Sequence, residues 1–293
     1  MSKPTSRLLT VINNVLLTQN MQRITFKADD ISDFETDSNG GYIKLLFNDN
    51  GGTDISAIAE NTRPKMRTYT IRNLRQAQNE FDIDFVRHHI ADSVNFENGG
   101  FASNWSQQAK VGSQISIVGP GYIKGLASDA DWFFLVADMT ALPALSEKLE
   151  ALPFSATGYA VIEINHELDK QALIKPQGIE VIWHIKSESL NYQRNDLVDL
   201  VRAQPWKPGR VAVWSASEFD QMKGLRTYFR NEKEVAKNDI YISSYWKQGC
   251  TEDSHKIAKI NDLQKSKSIA TSIIRLSVVV LSIAARLKRR LRI

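Results

Sequence analysis

The hydrophobic rhythm of this chain changes once, near Asp131, and that change limits what it can fold into. Upstream, residues 8–11, 21–26, 42–47, 81–86 and 114–118 are short runs with partial period-two alternation. Gly, Asn and Asp clusters at 37–41 and 48–52 separate them, which predicts an antiparallel β-barrel with Gly119-Pro120-Gly121 at its close. Downstream, residues 132–137 are a continuous apolar run, as a strand buried on both faces requires, and residues 160–164, 179–183, 210–214 and 239–243 are further buried-strand candidates. Helical patterns lie between them, first through Leu142, Leu145, Leu149 and Leu152, then at about 195–203 and 217–235. Alternating β and α elements predict a parallel sheet flanked by helices. The expected architecture has two abutting domains, an antiparallel β-barrel at 1–124 and an α/β domain at 125–260. A C-terminal helical extension at 261–293 follows.

Charge divides the chain differently. The formal net charge is +4, yet Lys265, Lys267, Arg275, Arg286, Lys288, Arg289, Arg290 and Arg292 lie in a stretch with no acid. Without those eight charges, residues 1–264 carry −4. A mildly acidic body argues against nucleic acid as a partner, because phosphate neutralisation needs a basic face. A single cysteine, Cys250, excludes a disulfide within the chain and a four-cysteine iron–sulfur cluster. Electrons, if the protein carries them, must move through an organic cofactor or come from a partner. The first residues, Met-Ser-Lys-Pro-Thr-Ser-Arg, show no apolar signal region, so a cytoplasmic location is expected.

One run carries chemistry: Arg67-Thr68-Tyr69-Thr70-Ile71-Arg72. The Arg67 guanidinium can fork onto a pyrophosphate. Tyr69, two residues on and on the same strand face, can lie against an isoalloxazine ring. Thr70 offers a hydroxyl and a backbone N–H to that ring's polar edge. The alternatives are a barrel-core Tyr69 and solvated strand-edge arginines, the latter more readily for Arg72 than for Arg67.

Further landmarks follow in order: Ile43-Lys44-Leu45, Asp84-Phe85-Val86-x-His88, Gly100-x-Ala102-Ser103-x-Trp105 and Gly119-Pro120. Then come Ala137-Asp138-x-Thr140-Ala141-Leu142-Pro143, Trp214-x-Ala216-x-Glu218 and Tyr245-Trp246-Lys247-x-Gly249. Together with the box, the series resembles the ferredoxin-reductase superfamily, and within it the siderophore-interacting proteins, from about residue 8 to 260. The resemblance implies FAD held by Arg67, Tyr69 and Thr70, with Asp84, Val86 and His88 along its ribityl and phosphate groups. Ala102, Ser103 and Trp105 would open a helix toward the pyrophosphate, where backbone N–H groups and the helix dipole favour an anion. The alternatives are an ordinary strand at 84–86, a surface His88, and an N-cap at Ser103 with Trp105 in the core. Phe101 stands where the family commonly has proline.

Asp138, Thr140 and Ala141 fall at the end of the first parallel strand, where open α/β sheets bind ligands. The family pattern there is Gly-Asp-Glu-Thr, and Ala137-Asp138-Met139-Thr140 departs from it in two positions. Glu218 matches the nicotinamide-side acid, against the alternative of a solvated helix-start glutamate. The function implied is an FAD-dependent ferric-siderophore reductase. It would take electrons from NADH or NADPH, or from a reduced ferredoxin, and release Fe(II) for iron acquisition. A flavin suits this task because it accepts a hydride and returns electrons singly. Ferric siderophores are commonly anionic, and Lys44 and Lys247 match the family's cations. Gly121 replaces a third, for which Lys124 is the nearby substitute. The competing functions are a flavin-free siderophore-binding protein and a general flavin reductase. Residues 269–291 read as a basic amphipathic helix that docks on the body, touches an anionic membrane surface, or merely extends the chain.

Overall fold

The structure, a computed structural model, describes residues 6–56, 58, 62–87, 100–186 and 196–265. The expected helix at 269–291 and the candidate His88 lie outside the described residues. The chain divides into two units, Met1–Gly249 and Cys250–Ile293.

The first unit begins with seven antiparallel strands: β1 (Arg7–Thr18), β2 (Met21–Ala28), β3 (Tyr42–Phe47), β4 (Lys65–Thr70), β5 (Arg72–Arg75), β6 (Glu80–Val86) and β7 (Gln114–Gly121). Their order is β4-β3-β7-β1-β2-β6-β5, so the two edge strands are successive pieces of one run, parted at Ile71. That continuity rolls the sheet into the expected barrel-like form. The alternating apolar positions meet inside it, with Val11, Ile24, Phe26, Ile43, Phe81, Ile83 and Ile117 all fully buried.

β1 is longer than the apolar run at 8–11 suggested. It passes through Asn13 and Asn14 by a register shift between Val11 and Asn13. Asn14 is what helix α1 (Phe101–Gln108) rests on, since its Nδ2 donates to the carbonyls of Ser106 (2.9 Å) and Ala109 (2.7 Å).

Five parallel strands follow: β8 (Trp132–Ala137), β9 (Gly158–Ile164), β10 (Ile179–Ile185), β11 (Val211–Glu218) and β12 (Ile240–Trp246). Their order, β10-β9-β8-β11-β12, reverses direction between β8 and β11. β8, β9 and β11 are buried at every residue, whereas the edge strands β10 and β12 are mostly half-buried. Leu135, Ala137, Ile162 and Trp214 face helix α2 (Leu142–Glu150) in one apolar layer. Trp132, Phe134, Val161 and Val213 form the other, with residues of α3 (Asp196–Ala203) and α4 (Phe219–Arg226). The helix expected from about 217 starts later because β11 stays paired with β12 through Glu218 and Trp246.

In the second unit a helix runs over 252–265, with Lys256 paired to Glu252 and Asp253 at 3.4 Å each. Among the described residues no helix is long and apolar enough to cross a membrane.

Candidate functional site

The flavin reading starts on β4, whose register with β3 pairs Lys44 with Thr68, Ile43 with Tyr69 and Tyr42 with Thr70. Arg67 donates from Nη1 to the Met66 carbonyl (2.8 Å) and forms no salt bridge among the described residues. Its guanidinium lies 5.6 Å from the centre of the Phe101 ring, at the first residue of α1. The arginine of the box and the small-residue helix start, 34 residues apart in the chain, are thus neighbours. Gly100 caps α1 and supplies no side-chain hydrogen bond to the first-turn amides. Ser103 is therefore not the N-cap. It is buried within the helix, where its carbonyl accepts from the Ser106 hydroxyl at 2.8 Å.

Beside this helix start lies an open cleft of about 640 Å³, lined by Asp49 to Thr53, Phe101, Asn104, Trp105 and Gln108. Gly51 makes the close approach possible. Its φ is +79°, and a Cβ there would fall 2.5 Å from the Phe101 ring. Trp105 belongs to both the cleft and the core, stacking on Phe26 with ring centres 6.1 Å apart. Tyr69 is half-buried, its ring centre 4.4 Å from that of Phe85, and Thr70 is buried. Ala102, the second residue of that helix, is buried against the barrel core.

On β6 the Asp84 carboxylate is fully engaged, accepting from Arg23 Nε (2.6 Å) and Nη2 (2.8 Å). Any contact with a cofactor there falls to the backbone or to half-buried Val86.

At the end of β8, Asp138 is a buried bracket. Its Oδ1 accepts from the Thr140 amide (2.9 Å), the Thr140 hydroxyl (2.6 Å) and the Ala141 amide (3.2 Å). Its Oδ2 accepts from Trp246 Nε1 (2.6 Å), tying the end of β12 to that of β8. Burial pushes this carboxyl up to about 6 despite those donors. Ala141 is fully covered and its N–H is taken, so it is a core residue and offers no surface to a flavin as the chain stands. Glu218 is a buried helix cap, not a solvated one. Its Oε2 accepts from the amides of Asp220 (2.5 Å) and Gln221 (3.4 Å), and Oε1 from that of Gln248 (3.1 Å).

Of the three candidate lysines, Lys124 and Lys247 are anchored at opposite ends of β12. Lys124 donates to the carbonyl of Asn238, before β12 begins, whereas Lys247 follows the end of that strand and sits 4.4 Å over the Phe219 ring. A strand of 7 residues separates those ends by roughly 20 Å. Lys44 is half-buried on β3. Neither Lys44 nor Lys247 forms a salt bridge among the described residues.

Arg72 overturns its reading as a solvated edge charge. It is 7% exposed and pairs with Glu147 at 2.6 Å and Glu150 at 3.4 Å, both on α2. A second bond set joins barrel to sheet domain where Asp169, fully buried, accepts from Thr18 Oγ1, Asn20 N and Asn20 Nδ2, each at 2.8 Å. These contacts span 75 and about 150 positions of sequence, and no local pattern announces them.

A barrel-like antiparallel domain followed by a five-stranded parallel sheet defines the ferredoxin-reductase fold. The ferredoxin reductase of carbazole 1,9a-dioxygenase shares it at 13% identity and a TM-score of 0.58, covering 82% of this chain and 69% of that one. Nearer relatives narrow the class. Residues 10–123 match the siderophore-interacting FAD-binding domain and residues 130–249 the siderophore-interacting protein family. The ferric vibriobactin reductase ViuB of Vibrio cholerae is 30% identical over 259 residues, covering 85% of this chain and 92% of that protein. The siderophore-interacting protein SipS from Aeromonas hydrophila superposes with a TM-score of 0.76 at 27% identity, covering 89% and 99%. The chain belongs to the siderophore-interacting protein family.

The residues present fit FAD. A guanidinium without a carboxylate partner among the described residues, a helix start without a side-chain cap and a cleft opened by Gly51 suit a pyrophosphate-bearing ligand.

Proposed function

We propose that this protein is an FAD-dependent ferric-siderophore reductase, driven by NADH, NADPH or a reduced ferredoxin. The observation that carries the reading is the convergence of Arg67, the Gly100 helix start and the 49–53 cleft, in a chain of this family. Arg67 and the first amides of α1 would hold the pyrophosphate. Tyr69 and Thr70 would hold the ring system, with the backbone near Val86 and Ser103 completing the cradle. Bound flavin would accept a donor's hydride and return two electrons singly, so one nicotinamide, losing its hydride, reduces two Fe(III) chelates. Fe(III) is the harder ion and grips oxygen ligands more tightly than Fe(II), so the transferred electron loosens the chelate.

Within that scheme the protein binds, orients and screens charge. Lys44 and Lys247 supply cations for an anionic chelate. Lys124, held at the far end of β12, acts as a tether to Asn238. Thr140 and Glu218 border the donor's approach at the C-terminal edge of the parallel sheet, with Asp138 holding Thr140 in place. We assign flavin binding to 1–124, donor binding to 125–260, and to the cationic segment 261–293 a peripheral contact with an anionic membrane surface from the cytoplasmic side.

Anaerobic mixing tests the reading. The purified protein should be yellow and should bleach near 450 nm with at least one of NADH, NADPH or reduced ferredoxin. It should then recover its colour on addition of a ferric hydroxamate or catecholate. A colourless protein that binds the chelate would identify a flavin-free carrier. Turnover of free flavin without any response to iron chelate would identify a general flavin reductase.

A further inference from the structure

The chain leaves β4 at Thr70 and enters β5 at Arg72, with Ile71 fully buried between them. The Ile71 peptide is fixed on both sides, its N–H donating to Gly41 and its carbonyl accepting from Gly40, each at 2.9 Å. Arg72 then pairs with Asp82 of β6 and has left the β3–β4 ladder that carries Arg67, Tyr69 and Thr70. Its side chain crosses to α2. Nη1 donates to Glu147 Oε1 (2.6 Å) and lies 3.4 Å from Glu150 Oε1 and 3.5 Å from the Pro143 carbonyl. Its Nε lies 3.9 Å from Asp84, whose carboxylate Arg23 already holds.

A second strut meets the same glutamate. Asn39 donates from Nδ2 to Glu147 Oε2 and accepts from the Leu74 amide (3.1 Å). Gly40, at φ +76°, lets this turn press on the helix, for a Cβ there would stand 3.0 Å from Glu147 Cβ. The helix so gripped is the one whose first turn follows the Asp138 bracket. From Ala141 to Glu147 an α-helix advances about 9 Å, a rigid link between that strand end and the barrel.

We propose that Arg72 is a positioning residue for the reductase reaction. Its buried pairing with Glu147 sets how the strand end at 138–141 stands against the flavin strand β4, and so how closely a donor meets the cofactor. The inference rests on the flavin-reductase reading. Hydride transfer needs reacting atoms about 3–3.5 Å apart, and a misplacement of about 1 Å slows such steps on the order of a hundredfold. A planar five-donor guanidinium can reach Glu147, Glu150 and Pro143 together, which an ammonium cannot.

The test compares Arg72→Gln, Arg72→Lys, Glu147→Gln and the Arg72→Gln/Glu147→Gln pair with wild type. FAD content, donor-independent photoreduction, flavin reduction by saturating donor, and hydrogen exchange of the 141–147 amides are measured on each. The double variant removes both buried charges and keeps the test open if Arg72→Gln alone folds poorly. The expected result is unchanged FAD content, photoreduction within about twofold, and donor reduction slowed roughly 10- to 100-fold. The amides of 141–147 should exchange faster. The double variant should be no slower than Arg72→Gln, and Arg72→Lys should recover only part of the rate. Donor reduction within about twofold of wild type, loss of FAD, or photoreduction slowed in parallel would overturn the assignment. Wild-type protein without FAD, or inert to all three donors, would instead overturn the functional reading, and the inference with it.

Discussion

Two arginines five residues apart occupy opposite environments. Arg67 sits on the edge strand of the barrel beside an open cleft, with an aromatic ring under it and no carboxylate paired to it among the described residues. Arg72 is enclosed at the junction of barrel and parallel sheet with Glu147, Glu150 and Asp84 around it. The first arrangement leaves a fork of donors open to a ligand; the second satisfies one internally. On the proposed reading, one charge within the motif serves the cofactor and the other holds the scaffold that the cofactor's partner approaches.

If that contrast is right, the two positions fail in different ways. Arg72→Ala should lower unfolding stability by about 3–5 kcal/mol, because it strands Glu147 inside the protein; urea denaturation of the flavin-free protein measures this. A loss below about 1 kcal/mol would mean the pairing is surface-like. On the sheet side, Asp138 should make stability depend on pH. Its folded value, about 6, lies above the ordinary aspartate value of 3.8, so the folded state binds its proton more tightly. That contribution is fully present below about pH 4 and is lost as pH rises through 6. Between those limits wild type should lose on the order of 3 kcal/mol relative to Asp138→Asn, read from paired denaturation curves. Parallel curves would contradict the assignment.

Arg67→Ala should do the reverse of Arg72→Ala. FAD affinity should fall by about 2–3 kcal/mol, or roughly 30- to 150-fold, while the flavin-free protein keeps its stability within about 0.5 kcal/mol. Equal damage to folding would erase the contrast between the two positions. The smallest effect belongs to Lys247→Ala. It should raise the KM for an anionic ferric chelate about two- to fivefold, less at high salt, with little change for a neutral chelate.

Much of the fold is legible because burial leaves a periodic trace. The run that became β8 is apolar at every position because both its faces are covered, and the barrel strands alternate because only one is. The spacing of Arg67, Tyr69 and Thr70 is likewise a local property of one strand. What sequence spacing could not supply is partnership across the chain. Arg72 reads as solvated until α2 brings two glutamates to it. Ala141 reads as a contact residue until the Asp138 bracket covers it, and Lys124 reads as a neighbour of Lys247 until β12 sets their anchors at opposite ends. The Gly51-Gly52 turn was visible as a turn, but its approach to Phe101 depends on where α1 is seated by Asn14.

The central claim, that bound FAD passes electrons to a ferric chelate, is tested most directly by an anaerobic titration of the purified protein. Flavin reduced by its donor should regain its absorbance near 450 nm after about two equivalents of ferric siderophore, with matching Fe(II) captured by an indicator chelator. Reduced flavin left bleached by the ferric chelate, or a protein that carries no flavin, would contradict it.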